Sequence, residues 1–273
     1  MAEYEIVCVS DTGKVRTGNE DAVLVEPELG LAILADGMGG YAAGEVASRL
    51  AVDEVHSELA SALPHLLHKS GEDLRLGMLE DLRFAANRAN ESIVKLAGRE
   101  SEYEGMGSTL VIAVLSARQL HVGHLGDSRV YRFADGQIKQ LTRDHCWIDE
   151  QIAAGALAED ALTNPRYKNI VTRALGIEDD VDLEVNTHDA APDDIFLLCS
   201  DGLSDMLSER EMETILGSNV GLAMRAQNLV DLANEHGGKD NISVILMRLA
   251  VAAPVNWASR LLRRLHGNGN GNG

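Results

Sequence analysis

Leu31-Ala32-Ile33-Leu34-Ala35-Asp36-Gly37-Met38-Gly39-Gly40 opens as an unbroken apolar run and closes on a carboxylate set among glycines. The apolar run predicts a short buried strand, and the Asp-Gly step with the glycines behind it predicts the turn that ends it. Downstream, Ala47, Leu50 or Ala51, Val55 and Leu59 recur at three- and four-residue steps, which predicts a helix over 44–63. Leu79, Leu82, Ala86, Ala89, Ile93 and Leu96 do the same over 72–97. Each predicted helix has one apolar stripe, so each packs by one face.

Further strand-like runs lie at 5–10, 22–25, 109–115, 119–125, 129–133, 182–188, 195–199 and 242–249, with a helix pair at 208–216 and 222–235. Asp135-Gly136 between Val130-Tyr131-Arg132-Phe133 and Gln137-Ile138 is a hairpin signal of the primed-turn type. Strands joined by such short links are antiparallel. Runs of strands, a helix pair, more strands and a second helix pair predict an α+β fold in layers. Residues 146–176 interrupt the strand series, are short of large apolar residues and contain Asn164-Pro165. They are read as an inserted flap, with a long surface connection as the alternative.

The 273 residues carry 24 Lys and Arg against 43 Asp and Glu, a formal charge of −19. That balance argues against nucleic acid as a partner. An apolar share of 45% places the chain among folded proteins, and 4% aromatics predicts an aliphatic core. Cys8, Cys146 and Cys199 are far apart and odd in number, without zinc spacing, which suits a reducing, cytoplasmic setting. Residues 1–5 lack the basic and apolar parts of a signal peptide, and no apolar run reaches membrane-spanning length.

The informative pattern is where certain aspartates fall. Residues 31–35 end in Asp36-Gly37, 195–200 in Asp201-Gly202 and 121–126 in Asp127, while Asp240-Asn241 opens the last strand. Any one Asp-Gly is explained by turn formation alone; the series of four shifts the reading toward a shared site. If the strand ends converge, carboxylates about 5 Å apart at an effective dielectric of about 20 repel by roughly 3 kcal/mol per pair, so cations are required. All-oxygen ligands select Mg²⁺ or Mn²⁺, and Asp-Gly can offer a carboxylate and a backbone carbonyl from adjacent residues. Two such ions activate water for attack on phosphorus, which implies metal-assisted phosphoester hydrolysis.

Eight motifs in order resemble those of the bacterial type 2C metal-dependent protein Ser/Thr phosphatases. They are Arg16-Thr17-Gly18-Asn19-Glu20-Asp21, Asp36-Gly37-Met38-Gly39-Gly40, Gly107-Ser108-Thr109, Gly126-Asp127-Ser128-Arg129, Leu141-Thr142-Arg143-Asp144-His145, Thr172-Arg173-Ala174-Leu175-Gly176, Ser200-Asp201-Gly202-Leu203 and Asp240-Asn241. The resemblance implies a phosphatase domain over 1–250, a four-layer α-β-β-α sandwich with two central antiparallel sheets and an inserted flap. It implies hydrolysis of phosphoserine and phosphothreonine by a metal-activated water at a binuclear Mn²⁺ or Mg²⁺ centre, reversing a Ser/Thr kinase. Asp36 is expected to bridge the ions, Gly37 to give one its carbonyl, and Asp201 and Asp240 to complete the other. Glu20 and Asp21 match outer ligands acting through water, Arg16 matches the residue that grips the substrate phosphate, and Asp127 with Asp201 matches a third-metal position. Expected partners are phosphorylated proteins, namely a kinase or its substrates, with the monomer as default.

One position departs from part of the family: where animal members place a histidine thought to protonate the leaving group, this chain has Met38. His121, His124 and His145 are candidate acids by chemistry alone. His145-Cys146 begins like a cysteine-phosphatase loop, but the arginine needed six residues beyond the cysteine is replaced by Ile152. No phosphate loop with its lysine is present. The rival reading is a catalytically silent module that keeps the fold for binding or regulation. Residues 251–273 read as a linker, a short basic amphipathic segment around Trp257 to Leu265 and a Gly/Asn-rich tail expected to be disordered.

Overall fold

The computed structural model describes residues 4–40, 43–116, 118–147, 151–152 and 171–249. Two antiparallel sheets lie face to face. The first has the order β1 (Tyr4–Asp11), β11 (Ile242–Leu249), β10 (Ile195–Cys199), β7 (Arg129–Ala134), β8 (Gln137–Gln140). The second runs β2 (Asp21–Glu26), β3 (Leu31–Met38), β5 (Leu110–Ser116), β6 (Gln119–Leu125), β9 (Glu184–Asp189), with the short β4 (Gly107–Ser108) pairing the end of β3. Helices α1 (Ala43–Leu66) and α2 (Gly71–Ala97) cover the second sheet; α3 (Asp201–Ser204), α4 (Glu209–Leu216) and α5 (Leu222–Glu235) lie on the first.

Why the strands read as continuous apolar runs is now explicit. Along β3, Leu31, Ile33 and Ala35 enter the core beneath α1 and α2, while Ala32 and Leu34 enter the core between the sheets. Along β10, Ile195, Leu197 and Cys199 face the helices and Phe196 and Leu198 face the other sheet. A strand covered on both sides has no polar face, so alternation disappears. Each such Leu or Ile, wholly removed from water, contributes about 2 kcal/mol to folding. The result is the expected α-β-β-α sandwich.

Most local signals act as expected, but no turn forms at Asp36-Gly37: β3 runs on to Met38, with Gly37 and Met38 paired to Ser108 and Gly107 of β4, and Asp201-Gly202 opens α3. Asp135 and Gly136 both hold positive φ, 53° and 79°, so the β7–β8 hairpin uses the primed turn. Ser208 caps α4 with a reciprocal capping box to Glu211. The predicted helix over 44–63 runs on to Leu66, past Pro64 in its last turn. Most of the flap expected at 146–176, and the tail from 251, lie outside the described residues. The flap's root is described: Cys146 bridges Val171, and the Thr172 N–H donates to the His145 carbonyl at 2.9 Å. All three cysteines are unbridged thiols. Among the described residues no helix is long and apolar enough to cross a membrane.

Candidate active site

The strand ends do converge. Asp36, Gly37, Asp127, Asp201 and Asp240 line one cleft of about 290 Å³ together with Arg16, Glu20, Met38, Thr109 and Asn241. Asp21 sits directly behind it, cross-strand from Asp36 in the β2–β3 register. Every residue given a ligand or phosphate-binding role from sequence therefore lies in or against this cleft, whereas the candidate acids His121, His124 and His145 do not line it.

Asp36 is held by its backbone. Its N–H donates to Thr109 Oγ1 at 3.0 Å, and its carbonyl accepts from the Thr109 N–H at 2.9 Å and the Ser108 hydroxyl at 3.0 Å. Thr109 Oγ1 in turn shares a hydrogen bond of 2.9 Å with Ser128, one residue past Asp127. Gly107-Ser108-Thr109 is thus the bracket between two of the acids. Gly37 donates to the Glu20 carbonyl at 3.1 Å, and a Cβ at Gly37 would run into the Gly44 carbonyl, so only glycine lets β3 and the start of α1 come this close.

Asp201 is delivered by β10 and Asp240 by the start of β11. Ser200 joins them to β2: its hydroxyl donates to Asp21 Oδ2 at 2.8 Å and accepts from the Ser243 N–H at 3.0 Å. Asn241 secures the loop that carries Arg16 and Glu20. Its Nδ2 donates to the carbonyls of Thr12 (3.0 Å) and Gly18 (2.9 Å), and its Oδ1 accepts from the Glu20 N–H at 2.8 Å. The Arg16 guanidinium donates to Asp240 Oδ2 at 2.7 Å, and this bond favours its charged form. Arg129 grips both oxygens of Asp144 at 2.7 to 3.0 Å, tying the Asp127 loop to the root of the flap.

The electrostatics are those of an acid cluster. Burial first, then the charges of Asp21, Asp201, Asp127 and Asp240, push the Asp36 carboxyl well above its ordinary range. Burial followed by Asp127 and Asp240 takes Asp201 to about 8. Asp127 rises to about 6 through burial and then Asp144, and Asp21 to about 6 chiefly through burial. Asp21 Oδ1 is buried with no hydrogen-bond partner. Hard cations fit this donor set: acids that resist ionisation together and a buried oxygen lacking a donor both call for positive charge. Among the described residues, three ligating side-chain atoms fall within 4.8 Å of one another only at His124, His145 and Glu184. The cleft acids are spread wider, a spacing suited to more than one ion with water completing the shells.

Ser48, Ser200 and Asn241 carry much of the site's framework; in the sequence Ser200 and Asn241 stand in the motifs only beside Asp201 and Asp240, with no role of their own, and Ser48 stands in none. Ser48 falls within the α1 stripe and is wholly buried, its hydroxyl donating to the Glu20 carbonyl at 2.6 Å. A polar residue on an apolar stripe was the available signal.

The protein phosphatase 2C family model matches residues 14–219. The serine/threonine phosphatase stp of Listeria monocytogenes is 38% identical over 242 residues, covering 87% of this chain and 93% of that protein. The protein phosphatase PhpP of Streptococcus pneumoniae is 35% identical over 253 residues, 90% and 97% of the two chains. Among solved structures, the Mycobacterium tuberculosis serine/threonine phosphatase PstP/Ppp superposes with a TM-score of 0.77 at 34% identity, covering 90% of this chain and 99% of that one. A PstP catalytic domain in complex with two manganese ions gives 0.75 at 34% identity, over 91% and 99%. The chain belongs to the protein phosphatase 2C family, and with it to the metal-dependent protein serine/threonine phosphatases.

Proposed function

We propose that this chain removes phosphate from phosphoserine and phosphothreonine in proteins at a binuclear Mn²⁺ or Mg²⁺ centre, with Asp36, Gly37, Asp201 and Asp240 holding the ions. The supporting observation is the cleft itself, in which several acids from four separate strand ends meet one arginine. Asp127 with Asp201 suits a third ion, and Glu20 and Asp21 suit contacts through water. When bound, the ions supply Lewis acidity at phosphorus and a water of lowered pKa.

The chain's own groups do the rest. Arg16 stands at the mouth with its side chain half exposed, and its forked donors suit two phosphate oxygens. Asn241, by fixing the Gly18 and Glu20 backbone, sets where that guanidinium can reach. Met38 has no proton to give to the leaving alkoxide, so this chain's proton donor is another group. Substrates of a Ser/Thr kinase, or the kinase itself, are the natural partners, in the cytoplasm, with the chain acting as a monomer and folding as one domain over 1–250.

Hydrolysis of p-nitrophenyl phosphate with added Mn²⁺, followed by phosphothreonine and phosphotyrosine peptides, tests this reading. Activity that needs the ion, prefers phosphothreonine and disappears in Asp36→Asn and Asp240→Asn is expected. Full activity in excess chelator, or in both variants, contradicts the metal mechanism; an inactive wild type with either ion favours the silent module.

A further inference from the structure

His145 sits behind Asp127 at the point where the chain leaves the domain for the flap. Its N–H donates to the Gly126 carbonyl at 2.8 Å, and the Gly126 N–H donates back to His145 Nδ1 at 3.2 Å. Its carbonyl accepts from the Thr172 N–H, next to Val171 in the cleft wall, where the described chain resumes after the flap. Gly126 has φ +106°, a conformation closed to other residues, and a Cβ there would strike Thr109. The peptide that aims Asp127 is therefore clamped on one side by Thr109 and on the other by His145.

The clamp has a defined tautomer. An Nδ1 that accepts from an amide carries no proton, so the neutral ring bears it on Nε2. That nitrogen faces Glu184 Oε2 at 3.4 Å, and Glu184 is steadied by Asn186 Nδ2 at 2.7 Å. His124 packs against the ring with centroids 4.6 Å apart. We propose that His145 is a positioning residue: oriented by Glu184, it fixes the Gly126 peptide and so points Asp127 into the cleft, joining the flap root to the acid cluster. This rests on Asp127 being one of the residues that hold metal.

The same trio is compact enough to surround an ion, with ligating atoms within 4.8 Å, and both ring nitrogens of the buried His124 lack hydrogen-bond partners. The Gly126 amide argues against that use. It occupies the Nδ1 lone pair and leaves Nε2 a donor, whereas a ligating imidazole turns its other nitrogen as a donor toward an acceptor.

Calorimetric titration of Mn²⁺ into the chelator-treated full chain, with melting temperatures and p-nitrophenyl phosphate kinetics on the same samples, tests the proposal. Asp127→Ala is the reference and is expected to lose one Mn²⁺ from the stoichiometry. His145→Phe is expected to weaken that same binding step by roughly fivefold to tenfold, the scale of a lost buried hydrogen bond, with kcat falling in parallel. Glu184→Ala, at a partly exposed strand position that leaves folding intact, acts in the same direction at about half that effect on a logarithmic scale. His145→Asn, whose Oδ1 falls near the place of Nδ1, restores binding to within about twofold. If Asp127→Ala weakens the site while His145→Phe and Glu184→Ala do not, the positioning role is wrong. Asparagine proving as damaging as phenylalanine also overturns it, since packing alone then explains the loss. Stoichiometric zinc that Glu184→Ala removes replaces it with a metal site. Unchanged Mn²⁺ binding in Asp127→Ala removes the reading of Asp127 on which it stands.

Discussion

Stripping the divalent ions makes the stability of this protein fall with pH just above neutrality. A folded-state pKa raised above the unfolded one means that the folded chain holds the extra proton, so the stabilisation is present at low pH and is lost as pH climbs through the folded value. Asp201, pushed from 3.8 to about 8 mainly by burial, is such a group. The buried histidines have the opposite sign: burial takes His121 to about 4 and His124 to about 3, so below their unfolded pKa they reward a rise in pH. Between pH 6.5 and 8.5 both histidines are neutral in the folded state, but at pH 6.5 the unfolded ones are still half protonated, so each offsets about 0.4 kcal/mol of the loss. At about 1.4 kcal/mol per unit, Asp201 alone costs about 2 kcal/mol across this range. Net of the histidines about 1 kcal/mol is lost, which for a chain of this size is a melting temperature lower by roughly 2–4 °C at pH 8.5 than at pH 6.5. Asp36 adds to the loss in the same direction. Differential scanning fluorimetry or circular dichroism in chelator measures it, and Asp201→Asn is expected to flatten the slope and to exceed the stripped wild type at pH 8.5. Saturating Mn²⁺ reverses the order, because an ion that binds only ionised carboxylates stabilises most at high pH. A stripped wild type equally stable at both pH values, or an Asp201→Asn chain with the wild-type slope, refutes the reasoning.

Other substitutions probe the framework. Asn241→Ala removes three hydrogen bonds from a buried side chain and is expected to destabilise by about 3 kcal/mol, with KM for the aryl phosphate rising as the Arg16 loop loosens; denaturant unfolding and steady-state kinetics read the two effects. Gly37→Ala forces β3 away from the start of α1, and titration calorimetry is expected to show Mn²⁺ binding lost in a chain that still melts cooperatively. Arg16→Ala is expected to raise KM severalfold with little change in Mn²⁺ affinity, which separates phosphate binding from metal binding. Asp144→Ala leaves the Arg129 guanidinium without its bidentate partner and is expected to cost about 3 kcal/mol by chemical denaturation.

Much of the architecture was legible because this chain signals locally. The two-faced burial of β3 and β10 shows as unbroken apolar runs, α1 and α2 as stripes, and the β7–β8 turn as Asp135-Gly136. The site was legible as positions rather than as geometry. Asp36, Asp127, Asp201 and Asp240 each lie at or near the end of a strand, but their convergence depends on how two sheets stack, which no local pattern encodes. Least visible were the residues that act through hydrogen bonds to distant backbone. Asn241 reaches carbonyls more than two hundred positions away, and Ser200 joins Asp21 to β11. Such partners follow from the fold and precede nothing in the sequence that names them. Arg16 shows the same limit: its chemistry suits phosphate, and its bond to Asp240 could only be seen in three dimensions.

The place of β11 in the first sheet has a consequence for biosynthesis. This strand, residues 242–249, is inserted between β1 and β10, and it pairs with the first strand of the chain along its whole length. On the ribosome, β1 therefore waits for a partner until nearly the entire domain has been made. Through that interval Asp240 is missing from the cleft and Asn241 is missing from the Arg16 loop. A chain shortened before Asp240 is accordingly expected to be inactive, since it lacks one of the proposed ion ligands and the side chain that anchors the Arg16 loop.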